Sequence, residues 1–154
     1  NTQSDAHIIL DYVLKHLKEQ NYNGSLILMG RSLGSVSVLE LAKRYPDDFW
    51  GLIIESGFAD ENPIFELIGT TAKQAGFSIE DGFLNGEKIK KYTGPLLIIH
   101  AKEDHIVPVA QGELLYNSCP SKKKKLILIP NANHNNIMGV SPKYFEEIES
   151  FVKP

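Results

Sequence analysis

The sequence predicts an α/β domain: a predominantly parallel sheet of about four strands with flanking helices. Four short, largely apolar runs carry this reading: Leu26–Met29, Gly51–Glu55, Pro95–His100 and Leu126–Ile129. Runs of that length without alternation are strands covered on both faces, as in a parallel sheet. Segments of helical periodicity separate them, which supplies the right-handed crossovers that parallel strands need. The chain has 154 residues, 42% hydrophobic and 23% charged, enough for one domain with a real core.

The elements follow in order. Ala6, Leu10, Val13 and Leu17 repeat at helical spacing, with Ser4 as the N-cap and Asn21–Gly24 as the stop. The first strand, Leu26–Met29, ends at Gly30. It carries no charge that would protect an open edge. Leu33 to Tyr45 is a helix that Pro46 terminates. After the second strand comes the one long insertion, residues 58–93. It holds a helix over Pro63–Ala75 and then a Gly-containing polar stretch, together a small cap-like element. The third strand leads to a helix over Val109–Asn117, with Pro108 at its start. The fourth strand leads to a last helix, opened by Ser141-Pro142 and running to about Val152. There is no internal repeat and no linker, so residues 1–154 are one domain.

Composition excludes several classes. A net charge of −3 offers no field for nucleic acid. One cysteine, Cys119, allows no intrachain disulfide, and with five histidines it builds no multi-cysteine zinc site. No metal or organic cofactor is called for. No apolar run approaches the ~18 residues of a membrane span, so no stable membrane insertion is expected. The lack of a disulfide favours the cytoplasm. The chain starts at Asn1 with neither an initiator Met nor a signal peptide. The expectation is a fragment or processed form, an N-terminally shortened domain, so the absence of targeting signals proves little.

The sharpest chemical signal is Gly30-Arg31-Ser32-Leu33-Gly34, a G-x-S-x-G pattern between a strand and a helix. So tight a turn needs small flanking residues, which Gly30 and Gly34 supply. It lifts the Ser32 hydroxyl clear of the sheet and sets the Leu33 amide at a helix N-terminus, where it can stabilise an oxyanion. The bland alternative is that Ser32 only caps the helix. A serine nucleophile needs a base, and the base needs an orienting acid. In a parallel sheet, residues just past the strand ends converge on one edge. Asp104 follows the third strand and His134 the fourth, so the chain order is Ser32, Asp104, His134. Glu103, Glu55 and Asp60 are rivals for the acid. His105 suits a surface loop, while His7, His16 and His100 suit structural roles.

On these residues the chain resembles the C-terminal portion of a serine α/β-hydrolase, over essentially its whole length. The resemblance implies Ser32 as nucleophile, Asp104 as acid and His134 as base. The segment around Asp104 is similar to the family's pattern of a small residue, two variable positions, Asp, two more, then Val-Pro. Ala101 stands where the family often has Gly, and Asn133 where Gly usually precedes the histidine. The implied reaction is cleavage of a carboxylic ester or thioester through an acyl-enzyme, as in small-cap carboxylesterases, lipases and thioesterases. The family's sheet has about eight strands, against four here, and its second oxyanion donor comes from an early loop absent from this sequence. Losing one donor typically costs on the order of 10²–10³ in rate. The expectation is therefore impaired activity in this chain alone, and a homo-oligomer that covers the exposed edge of the first strand. The contrasting class is a non-catalytic α/β-hydrolase-like interaction or assembly domain.

Three weaker features complete the list. Lys122–Lys125 is a solvated turn or a contact for an anion. Arg31 is placed to meet an acidic substrate group. Ile64, Phe65, Leu67 and Ile68 form a helix face, with one edge toward an acyl pocket.

Overall fold

The computed structural model describes residues 2–67, 69–71, 74 and 82–153; for Thr2, Gln3, Pro63, Ile64 and Leu67 it describes the main chain only. Its strands are β1 (Ile27–Arg31), β2 (Gly51–Glu55), β3 (Leu96–Ala101) and β4 (Lys124–Ile129). Its helices are α1 (Thr2–Glu19), α2 (Gly34–Arg44), α3 (Asn62–Leu67), α4 (Asn85–Ile89), α5 (Val109–Ser118), α6 (Ile137–Val140) and α7 (Lys143–Val152). The strands form one sheet in the order β1-β2-β3-β4, and every pair is parallel.

The side-chain period of two divides the core between the two sheet faces. Leu52, Ile54, Leu96 and Ile98 pack with Val38, Leu39, Ile89 and Leu115 from α2, α4 and α5. Ile53, Leu97, Ile99, Ala101, Ile127 and Ile129 pack with Ile137 and Tyr144 from α6 and α7. All of β2 and β3 is buried, as their apolar runs predict.

β1 departs from expectation. Its outer edge is open among the described residues, as expected, but its faces are not both covered. Ile27 and Leu28 are half-buried, and Met29 is 46% exposed. It also runs on through Gly30 to Arg31, because Arg31 stays in register with Glu55. β4 likewise starts earlier than its apolar run, since Lys124 and Lys125 pair with Leu96 and Leu97. Polar side chains extend a strand when a partner offers main-chain hydrogen bonds, which periodicity alone does not show.

The helices hold two further corrections. Ser4 lies inside α1 rather than capping it, and Val13 is exposed while Leu14 is half-buried. The stop at Asn21 is as expected. Asn21 is left-handed (φ 55°), its amide donates to the Lys18 carbonyl at 3.1 Å, and the Tyr22 amide donates to Leu17 at 2.9 Å. That is a Schellman ending, in which Asn stands for the more usual Gly. In the 58–93 stretch the expected helix is α3, which is over by Gly69 (φ +72°). Most of residues 72–81 lies outside the described residues. The polar stretch after it contains α4, which packs on α2 and α5 and buries Asn85 and Ile89 completely.

Candidate active site at the C-terminal sheet edge

Because all strands are parallel, Ser32, Ser56, Asp104 and His134 all leave the sheet at the same edge. The Ser32 amide continues the ladder by donating to the Glu55 carbonyl at 2.9 Å, and then the chain turns sharply. Ser32 sits at φ 50°, a left-handed conformation that side chains other than glycine rarely adopt and that functional turns often hold. The room for the turn comes from Gly30. A β-carbon there would stand 2.5 Å from the Gly34 carbonyl oxygen and 2.6 Å from Val38 Cγ2. At Gly34 a β-carbon would meet nothing within 4 Å, so the small residue is required at Gly30 and not at Gly34. Among the described residues Ser32 Oγ makes no capping bond to α2, and the Leu33 amide at the start of that helix has no hydrogen-bond acceptor. Ser32 is therefore not serving as a cap.

Asp104 and His134 come together. His134 Nδ1 lies 2.8 Å from Asp104 Oδ2 and 3.1 Å from Oδ1, and both side chains are buried. A carboxylate only accepts, so Nδ1 carries the proton and Nε2 is the nitrogen left to face a substrate or nucleophile. The carboxylate is fixed in turn, since Oδ1 accepts from the Val107 amide at 2.8 Å and the Ile106 amide at 3.0 Å. Burial pushes the Asp104 acid up, but the bonds from Val107, His134 and Ile106 outweigh it and hold the group below its ordinary value. Asp104 is ionised at neutral pH. No hydrogen bond joins Ser32 Oγ to His134 Nε2.

Two of the three rival acids are occupied elsewhere. Glu103 is exposed. Asp60 Oδ2 accepts from Gln111 Nε2 at 3.0 Å. Glu55 is 1% exposed, accepts from Arg31 Nε at 2.9 Å and from the Tyr144 hydroxyl at 2.6 Å, and does not reach His134. Arg31 is therefore not free for an acidic substrate group: besides Glu55, it donates through Nη2 to the main-chain carbonyl of His134. Nothing in the local sequence signals this contact, because it joins residues 103 positions apart.

The other histidines hold structural or surface positions. His100 is fully buried, with Nε2 2.9 Å from the Val107 carbonyl and Nδ1 packed against Gly112 without a hydrogen-bond partner. His105 is exposed, His16 stacks on Tyr12, and His7 packs edge-on to Tyr45. Cys119 is buried, and burial pushes its thiol up, so it is unreactive. In the lysine run, Lys124 Nζ donates to the Tyr116 and Cys119 carbonyls at 2.7 Å, closing the end of α5, and Lys125 pairs with Glu147. Of the apolar residues assigned to an acyl pocket, Phe65 is buried. The side chains of Ile64, Leu67 and Ile68 lie outside the described residues. No group of three or more His, Cys, Asp and Glu among the described residues is arranged to hold a metal ion.

Known proteins agree with this architecture. The family model described as serine aminopeptidase, S33, matches residues 84–139, the part that contains Asp104 and His134. An alpha/beta hydrolase domain-containing protein 17C of Xenopus tropicalis is 31% identical over 128 residues, covering 83% of this chain and 38% of that protein. An uncharacterized membrane protein of Saccharomyces cerevisiae is 28% identical over 147 residues, covering 92% of this chain and 51% of that protein. Among solved structures, the monoacylglycerol lipase of Paleococcus ferrophilus superposes with a TM-score of 0.70 at 18% identity, over 99% of this chain and 74% of that one. The esterase domain of a Rhodothermus marinus protein gives 0.68 at 20% identity, over 99% and 69%. Fold and site together define an α/β-hydrolase architecture. The chain belongs to the α/β-hydrolase superfamily. It spans between about a third and a half of the length of the curated relatives it matches. Among the described residues, no helix is long and apolar enough to cross a membrane.

Proposed function

We propose that this chain carries the catalytic centre of a serine hydrolase acting on a carboxylic ester or thioester. The observation that carries the reading is the buried Asp104–His134 hydrogen bond, on the same sheet edge as the left-handed Ser32. Ser32 Oγ attacks the carbonyl carbon while His134 Nε2 takes its proton. The tetrahedral oxyanion is met by the Leu33 amide, which has no other acceptor among the described residues. The intermediate expels the alkoxide or thiolate, which His134 protonates. Water then attacks the acyl-enzyme by the same proton path, releasing the acid and restoring Ser32. Asp104 stays ionised and stabilises the imidazolium. The absence of a Ser32–His134 hydrogen bond fits a centre that tightens on substrate, as unliganded sites often do.

The names of the structural neighbours, a lipase and an esterase, favour acyl esters as substrates. The name of the matching family model makes a peptide bond the second candidate. The test is a panel of p-nitrophenyl esters, acyl thioesters and aminoacyl p-nitroanilides, with hydroxylamine trapping of the acyl-enzyme. Turnover of esters or thioesters with a trapped acyl group supports the reading. Turnover of anilides alone moves the assignment to a peptidase.

Two smaller proposals accompany this. A second copy of the chain covers the β1 edge, where Met29 is exposed. Sedimentation should then show a dimer, and a monodisperse monomer would contradict it. A cytoplasmic location is proposed from the single, buried Cys119.

A further inference from the structure

We infer that Arg31 is a positioning residue for His134: it ties the histidine loop to the nucleophile turn, and buried Glu55 and Tyr144 hold it in place. The inference rests on the catalytic reading of Ser32, Asp104 and His134. β1 and β4 are the two outer strands of the sheet, three strand spacings or roughly 14 Å apart. The loop after β4 must therefore lean across β3 and β2 to bring His134 to Ser32. Asp104, after β3, fixes the imidazole ring through Nδ1 but holds nothing of the main chain.

Arg31 supplies the missing link. Its Nη2 donates to the His134 carbonyl while its Nε donates to Glu55 Oε1 at 2.9 Å. Glu55 cannot drift, because it is 1% exposed and its other oxygen accepts from the Tyr144 hydroxyl at 2.6 Å. Burial and the neighbouring Glu55 push the Tyr144 phenol up, so it remains a donor at any working pH. Since Arg31 is bonded to Ser32 in the chain, the same side chain that grips the histidine loop is rooted beside the nucleophile. The planar guanidinium presents two diverging donors at once. A lysine ammonium at the end of a flexible stem does not reproduce that fork.

The test compares Arg31→Ala, Arg31→Lys and, as control, Lys125→Ala, which breaks the ion pair to Glu147 on the far edge of the sheet. One readout is the rate of fluorophosphonate labelling of Ser32. The other, independent of activity, is the downfield Nδ1 proton resonance of His134 that its bond to Asp104 produces. Both arginine variants should label at least about tenfold more slowly, since a misplaced base is costly. Both should also broaden or lose the Nδ1 resonance, and Lys125→Ala should do neither. In a His134→Ala background, adding Arg31→Ala should change the residual labelling less than about twofold, because the two act through one group. An unchanged Nδ1 resonance in the arginine variants overturns the inference, as does a further multiplicative loss in the His134→Ala background. Failure of the wild type to label strikes at the catalytic reading instead, and the resonance still decides the role of Arg31. Arg31→Lys keeps the charge and the stem, and carries the test if the alanine variant does not fold.

Discussion

A β-carbon on Gly30 would lie 2.5 Å from the Gly34 carbonyl oxygen, whereas one on Gly34 would meet nothing within 4 Å. The two glycines of the motif are therefore unequal. The atoms opposing Gly30 are main chain and the buried, β-branched Val38, neither of which moves cheaply. Gly30→Ala should destabilise the fold by about 2–3 kcal/mol. Gly34→Ala, at the first turn of α2, should change it by less than about 1 kcal/mol, in either direction. Urea denaturation of the two variants checks this; equal losses would contradict the packing described.

Ser32 is held at φ 50°, a conformation that costs a non-glycine residue roughly 1–2 kcal/mol. Ser32→Gly should relieve that strain and raise stability by roughly 0.5–1 kcal/mol, net of the extra freedom glycine has when unfolded. Ser32→Ala keeps the β-carbon and should gain nothing. Denaturation midpoints of the two variants separate the outcomes. A glycine variant no more stable than the alanine variant would show the turn to be unstrained.

Asp104 accepts three hydrogen bonds, and only the one from His134 concerns the base. Asp104→Asn keeps the shape but presents a neutral amide that favours the wrong imidazole tautomer. Labelling of Ser32 should fall on the order of 10²–10⁴-fold. Melting should show that the chain is still folded. A loss below about threefold would remove Asp104 from the assigned role.

His100 gives a pH signature. Its burial outweighs the bond to Val107 and the nearby Asp104 charge, so its pKa in the fold lies below the ordinary 6.5. The unfolded chain takes up this proton first as pH falls. The stability that neutral His100 contributes is complete above about pH 6.5 and is lost as pH falls from there toward the folded value. The melting temperature should therefore drop between pH 7.5 and 5.5, and His100→Asn should flatten that slope. The same slope in wild type and variant would assign the effect to other groups.

The fully buried strands β2 and β3 were legible as apolar runs, and the Ser32 turn as a motif in its strand–helix context. Asp104 and His134 were legible as residues just past strand ends, because a parallel sheet forces those ends onto one edge. Three features were not legible. The open edge of β1 was expected, but that Met29 is exposed and Ile27 and Leu28 only half-buried is not encoded in the apolar run Leu26–Met29, which reads as covered on both faces. Leu33 to Ser35 allow a helix to begin at several points, and the tertiary position of Gly30 decides which glycine must stay small. The Arg31–Glu55–Tyr144 link depends on residues that are adjacent only after β1 and β2 pair and α7 docks beneath them, so no local pattern announces it.

In the proposed mechanism Ser32 is activated by a base, His134, that Asp104 holds. Intact mass spectrometry after fluorophosphonate treatment tests it directly, with wild type and Ser32→Ala side by side. The wild-type chain should carry a single adduct, Ser32→Ala none, and His134→Ala should lose the labelling. A wild-type chain that is folded by circular dichroism and takes up no adduct, or a Ser32→Ala chain that labels like wild type, would contradict it.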